Sequence, residues 1–215
     1  MSSVKIQGNA SGSGQFTVAS PNSNNTRTAT LPDADGNVVL DSATQTLTNK
    51  TIQGGAITAM TAQASTSGTS IDFTSIPSWV KRITVAFDGV STNGTSLPLI
   101  RLGDAGGAET TGYNASAGVI STAGTGSSTA STAGFILATG VSAATTICGQ
   151  GIFTLMNAST NTWSFTFTCT FSNSGATGFA GGTKALSDTL TQVRITTVNG
   201  TDTFDTGTIN VLYEG

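Results

Sequence analysis

Between residues 163 and 171 the chain alternates without a break. Trp163, Phe165, Phe167, Cys169 and Phe171 fall on one side, and Ser164, Thr166, Thr168 and Thr170 on the other. Successive side chains of a strand point to opposite faces. Period two over nine residues therefore dictates a strand with one face in a core and a hydroxyl ladder outside. No stretch carries a sustained i, i+3, i+4 apolar stripe, so no helix competes. The bias runs through the chain: 41 Thr, 25 Ser and 27 Gly make up 93 of its 215 residues. Thr is β-branched and suits a pleated surface. Ten Phe and two Trp supply core area. The expectation is an all-β protein.

Other strands follow the same rule. Ile83, Val85 and Phe87 alternate with Arg82, Thr84 and Ala86, and Leu97, Leu99 and Arg101 with Pro98, Ile100 and Leu102. Ile152 to Met156 is more evenly apolar, as a central strand would be. Residues 157–161 would close it into an antiparallel hairpin with 163–171. Val193-Arg194-Ile195 and Ile209 to Tyr213 add two strands, with Asn199-Gly200 as a turn signal between them. Ile76-Pro77-Ser78-Trp79 reads as a turn that delivers Trp79 to the rim or the core. Gly103 to Gly107 reads as a loop. Ser116 to Gly134 is small and weakly patterned, a loop either mobile or specialised for contact. Six to nine strands over 71–215 fit a jelly-roll-like antiparallel β-sandwich. Residues 61–70 lack large apolar side chains and read as a linker or surface strand.

Residues 1–60 are sparser. Their apolar bursts, such as Val4-Lys5-Ile6, Phe16-Thr17-Val18 and Leu47 to Ile52, are too scattered to close a core alone. Copies arranged about a symmetry axis would supply the missing partners, with a three-fold fibre or prism as the economical form; the alternative is a floppy N-terminal arm. Met1-Ser2-Ser3-Val4-Lys5 has no apolar h-region, so no secretory signal is expected.

The chemistry is narrow. Eight Lys and Arg stand against eleven Asp and Glu, net −3, which is no footprint for nucleic acid. No apolar run nears the roughly 20 residues of a membrane span. His is absent, which closes Ser-His-Asp and Cys-His catalysis and His-ligated metals. Asp33-Ala34-Asp35-Gly36-Asn37 starts like a calcium loop. It then fails at Val38 and Thr44, so a turn is preferred. Asp202 and Asp205 could pair for glycoside hydrolysis, but Asp88, Asp104 and Glu109 are equally available, and solvated loop charge is the preferred reading. Gly181-Gly182-Thr183-Lys184 lacks phosphate-loop order and reads as a turn. Lys81-Arg82 reads as solvent-facing. Trp79, Tyr113 and Trp163 could stack on sugar rings. Trp163 belongs to the core face, so Tyr113, between Gly112 and Asn114, is the better contact candidate, although packing is the preferred reading for it as well. Cys148 and Cys169 are either two reduced small hydrophobes or a disulfide between neighbouring strands. No catalytic, metal or cofactor site is assigned.

Two phrases carry a resemblance. Thr30 to Leu40, "TLPDADGNVVL", is followed by Ala43 to Ile52, which contains "TLTNKTI". Both resemble segments of virion fibre and appendage proteins of tailed bacteriophages. Ile76 to Val85, with Val90 to Thr95, looks like the C-terminal domains of phage tail-fibre-like proteins. The resemblance implies a homotrimer assembled in the bacterial cytoplasm and located on the virion. It implies an N-terminal segment, 1–60, attached to other virion structural proteins of tail or capsid, and a distal domain, 71–215. The expected function is a non-enzymatic fibre or spike that attaches to host surface polysaccharide or protein. The alternatives are a capsid decoration or head fibre that stabilises the capsid, and a small polysaccharide depolymerase. Val4, Ile6, Phe16, Val18, Leu47 and Ile52 are the attachment candidates. Asp104, Glu109, Tyr113 and Asn114 are the host-contact candidates, on loops 103–134 and 173–187. Neither nucleic acid nor membrane insertion is expected.

Overall fold

The computed structural model describes residues 11–14, 24–26, 28 and 57–215. The chain divides into two compact units, Met1–Lys50 and Thr51–Gly215. In the first, the described residues are exposed, with a turn at Ser11 and bends at Asn24 and Asn25. The six attachment candidates and the Asp33 to Asn37 loop lie outside the described residues.

The second unit is an all-β antiparallel sandwich, as the alternation dictates. Its fourteen strands among the described residues are β1 (Thr58–Ala59), β2 (Gln63–Ala64), β3 (Ser70–Phe73), β4 (Arg82–Thr92), β5 (Pro98–Asp104), β6 (Gly107–Ala108), β7 (Tyr113–Ile120), β8 (Gly126–Ser131), β9 (Phe135–Ile136), β10 (Ile147–Asn157), β11 (Thr162–Phe171), β12 (Thr177–Ala185), β13 (Gln192–Thr197) and β14 (Phe204–Glu214). One sheet has nine strands in the order β1-β14-β4-β10-β11-β12-β7-β8, with β2 also on β14. The other has five in the order β3-β13-β5-β6, with β9 also on β5.

The 163–171 alternation is β11. Its five large side chains are buried, and Thr166, Thr168 and Thr170 are exposed. The expected hairpin with β10 forms in register, Phe153 opposite Phe165, closed by a single 3-10 turn at Ala158–Thr160. Phe165 stacks on Phe153 at 4.4 Å between centroids, and Phe135 of the second sheet meets Phe165 at 4.8 Å. Two glycines make room for this face. A Cβ on Gly151 would lie 2.6 Å from the Phe165 ring, and one on Gly178 2.7 Å from Cys169 Sγ.

Several local expectations change. Ser116 to Gly134 is not a loop: β7 and β8 pair as a hairpin from Ala115 opposite Ser131 to Ile120 opposite Gly126. Its small side chains carry little hydropathy contrast, so the strand pattern is hard to see. Likewise 173–187 holds β12, and Gly181 to Lys184 are strand residues paired with Ser116 to Tyr113, not a turn. Residues 61–70, read as a linker or surface strand, include β2, which pairs with β14. Ser65 N donates to Gly207 O at 2.9 Å, and Ser65 Oγ to Thr206 O at 2.8 Å. Ile152 to Met156 does lie centrally in its sheet, yet Met156 is 61% exposed. Asn199-Gly200 turns as expected, with Gly200 at φ +67° and its N–H on Thr197 O at 3.1 Å, and this connection carries the chain from one sheet to the other.

Cys148 and Cys169 are free thiols. Cys148 is opposite Thr170, and Cys169 opposite Gly149. Opposed residues share a face, so the two cysteines point to opposite faces of the sheet. Burial pushes the Cys169 thiol up to about 11.

Two outcomes follow from this packing. Gly151→Ala costs about 1–3 kcal/mol of unfolding free energy by overpacking. In a Phe165→Leu background the same change costs clearly less, because the two sites couple through one contact, as a denaturant-melt double-mutant cycle would measure. In thiol labelling of folded protein at mildly alkaline pH, Cys169 stays unmodified until denaturant is added, since both burial and its raised pKa suppress the thiolate.

Candidate functional site

Strand direction sorts the loops into two rims. β4, β7, β11 and β13 start at one rim, where β5, β10, β12 and β14 end. Thr58 pairs with Tyr213 there, and the half-exposed Trp79 packs edge-on against Tyr213 at 5.6 Å. This is the Trp79 rim. It holds a cavity of about 150 Å³ walled by Pro77, Val80, Leu155, Trp163 and Leu190, with Lys81 and Asn161 among its polar groups. Lys81 and Arg82 are solvent-facing, and Arg82 meets Glu214 at 3.3 Å.

Three of the four host-contact candidates meet at this rim, but as a closed network. Tyr113 is not an exposed contact. It is 2% exposed, and its hydroxyl accepts from Leu102 N at 3.0 Å and donates to Glu109 O at 2.9 Å. Gly and Asn neighbours in the sequence made it look like a loop residue, whereas β7 begins with it. Asp104 is buried and accepts from Ser187 Oγ at 2.6 Å and Gly106 N at 2.8 Å. These two bonds hold its carboxyl below the usual range. Glu109 takes Ser187 N at 2.7 Å and pairs with the buried Lys184. Burial alone would raise its pKa, but Lys184 and Ser187 outweigh that and lower it. Asn114 is the one candidate left exposed, on the outer face of β7 opposite Thr183. Lys184 and Ser187 were not singled out from the sequence. The period-two phase of Ala180, Gly182 and Leu186 does place Lys184 inward, and that signal was available.

At the opposite rim five loops adjoin: 93–97, 121–125, 140–146, 172–176 and 198–203. This Asn199 rim is pinned by short hydrogen bonds. Asp202 accepts from Asn199 Nδ2 at 2.7 Å and from Ser96 N at 2.9 Å. Asn199 N donates to Ser96 Oγ at 3.0 Å, and Thr203 N to Asn93 Oδ1 at 2.9 Å. Ser142 N donates to Thr145 Oγ1 at 2.9 Å, and Ser172 N to Thr146 O at 3.0 Å. Asn173 Nδ2 donates to Ala144 O. A Cβ on Gly175 would lie 3.2 Å from Thr122, so the 121–125 and 172–176 loops also touch. A shallow apolar cleft with Val90, Pro98, Val141 and Phe204 in its wall lies between the first and middle loops.

Asp202 is the single charged residue in these five loops. The Asn199 amide, then the Ser96 N–H, hold its carboxyl below the ordinary range. Asp205 has a different partner, Ser91 Oγ. Asp202 therefore ties two loops, while Asp205 ties β14 to β4. What this rim offers a ligand is a neutral array of fixed amides and hydroxyls, suited to a neutral polyhydroxylated surface and lacking cations for an acidic one. No family model, curated protein or solved structure matches the chain.

Asp202→Ala is expected to speed amide exchange at Ser96 and through 199–203 while the core amides of β10 and β11 keep their protection. A depressed pKa means the tie is present above the unfolded-state value and lost as pH falls through the folded one. The wild type therefore reproduces the variant's exchange pattern in acid, read by hydrogen exchange across a pH series.

Proposed function

We propose that the chain is a non-enzymatic structural appendage of a tailed-bacteriophage particle, which touches the host surface with its Asn199 rim. One observation carries this reading. The five loops of that rim present pinned, almost uncharged hydrogen-bonding groups at the end opposite the first strand pair among the described residues, Thr58–Ala59 on Tyr213 and Leu212. Pinned groups lose little entropy on binding. The ligand class is a neutral surface glycan. Each neutral hydrogen bond contributes only about 0.5–1.5 kcal/mol net, so a single rim binds weakly. Copies joined through residues 1–60 would multiply that by avidity. The phage resemblance of Thr30 to Leu40 and Ala43 to Ile52 supports the placement on a virion.

The purified full chain should compete with particles for adsorption to host cells. Thr201→Arg with Asn173→Arg should weaken that competition at least tenfold, with unchanged circular dichroism. Phe179→Ser on the outer sheet face should leave competition intact. Loss of competition by Phe179→Ser alone would move the contact to the sheet face. Gold labelling that placed the chain only on the head would overturn attachment in favour of capsid decoration.

A further inference from the structure

We infer that the apolar cleft at the Asn199 rim receives a methyl group of the bound sugar, so that the contact selects neutral glycans with N-acetylated or 6-deoxy units. This rests on the glycan reading above and adds a basis for choice among neutral sugars. The cleft is drawn from four stretches: the end of β4, the start of β5, the 141–147 stretch leading into β10, and the start of β14. Its apolar wall is Val90, Pro98, Val141, Ile147 and Phe204. All but Val141 are buried, and Val141 is part-exposed. Each stretch is held in place. Phe204 is opposite Thr92 in the β14–β4 ladder, and its N–H donates to Gly68 O at 2.8 Å. Ser91 Oγ donates to Asp205. Thr145 N donates to Ser142 O at 2.9 Å and Ser142 N to Thr145 Oγ1 at 2.9 Å, which closes the 142–145 turn. The wall is therefore set at folding, and binding has little left to order.

Size and polarity together define the occupant. The space in the cleft is about 20 Å³. That is room for one group the size of a water or a methyl, and too little for a sugar ring. A water is held only where it finds two to four polar partners. Among the hydroxyls of the cleft, Ser91 is engaged by Asp205, and Ser142 and Thr145 lie 3.2 Å apart, on each other. Thr92 alone makes no hydrogen bond to another described residue. The cleft therefore suits an apolar group of water size better than it suits water.

On a neutral sugar such a group is a methyl, at the end of an acetamido arm or at C6 of a 6-deoxy ring. A hydroxymethyl in the same place would bury its hydroxyl against Val90, Val141 and Ile147 without a full set of partners. An enclosed apolar pocket rejects an added hydroxyl by about a hundredfold, and an open cleft by less. The surrounding loops supply the polar half of the contact, since the hydroxyls of Thr95 and Thr201 also make no hydrogen bond to another described residue. The carboxylates at this end, Asp205 on Ser91 and Asp202 on Ser96, repel an acidic sugar.

Titration of the full chain with glucose, 6-deoxyglucose and N-acetylglucosamine tests it, followed by carbon-13 NMR on the methyl signals of Val90, Val141 and Ile147. At least one methyl-bearing sugar should shift these signals and bind about threefold or more tightly than glucose. Which of the two does so tells the 6-deoxy source from the acetamido one. Val141→Thr keeps the side-chain outline but adds a hydroxyl to the wall, and should bring the ratio within about twofold while circular dichroism stays unchanged. Equal binding of all three sugars overturns the inference. So does the absence of any shift, or a ratio that Val141→Thr leaves intact. The adsorption assay separates this from the glycan reading. Competition for host cells without a methyl preference rejects the cleft alone. Methyl-sugar binding without competition rejects host attachment and leaves the preference of the cleft standing.

Discussion

The sandwich depends on how one aromatic strand is accommodated by its neighbours. β11 presents Trp163, Phe165, Phe167, Cys169 and Phe171 to the core, more side-chain bulk than two flanking strands of ordinary residues could admit. Gly151 on β10 and Gly178 on β12 remove the Cβ atoms that would collide with Phe165 and Cys169. The rings then reach across to Phe135 of the other sheet. A slip of one residue in either pairing would turn the aromatic face to water and drive glycine-less positions into the rings, so the register is strongly fixed. Fixed registers place the strand ends, and the strand ends place both rims. Much of the glycine surplus therefore belongs to the core architecture and not only to turns.

What could be read from the sequence followed from contrast. Strands β4, β11, β13 and β14 pair large apolar residues with polar ones, and β10 shows as an evenly apolar run. β7 and β8 obey the same period with Ala, Ser, Gly and Thr, whose hydropathies are too close for the period to show. Tyr113 was obscured by its neighbours, since Gly112 and Asn114 are turn residues elsewhere and here flank the first residue of a strand. Asp104 and Glu109 read as open loop acids, whereas the fold brings them together with Tyr113 as engaged groups. Lys184, the buried charge that closes them in, lies 71 residues beyond Tyr113 and is brought there only by the β12–β7 ladder. The Asn199 rim was half legible: Asn-Gly marked one turn, but its joining to 93–97 and 172–176 depends on sheet order.

Scarce charge acquires a physical meaning once it is located. Of the few ions, Lys184 and Glu109 are paired inside the Trp79 rim, Arg194 grips Asp72 with two hydrogen bonds at 2.6 and 2.9 Å, and Arg82 meets Glu214. Lys184, Arg194 and Arg82 are thus engaged in ion pairs, while the Asn199 rim holds a single anion already tied to Asn199 and Ser96. A surface built from Thr, Ser and Asn interacts with water through short neutral groups. Long-range steering is weak for such a surface, and what it recognises must match at hydrogen-bond range.

The two rims also divide order in opposite ways. At the Trp79 rim Glu109, Lys184 and Asp104 are engaged with one another, while Ile57, Trp79 and Met156 remain exposed. At the Asn199 rim the apolar cleft is shallow and the polar groups form the outer surface, with 93–97 bonded to 198–203 and 140–146 bonded to 172–176. Backbone ties such as Ser96 N to Asp202 and Thr203 N to Asn93 restrain the loops but leave the hydroxyls of Thr95 and Thr201 outside the ties. Restrained backbone with unspent side-chain donors is what a weak, repeated contact requires, because ordering has occurred at folding and not at each encounter.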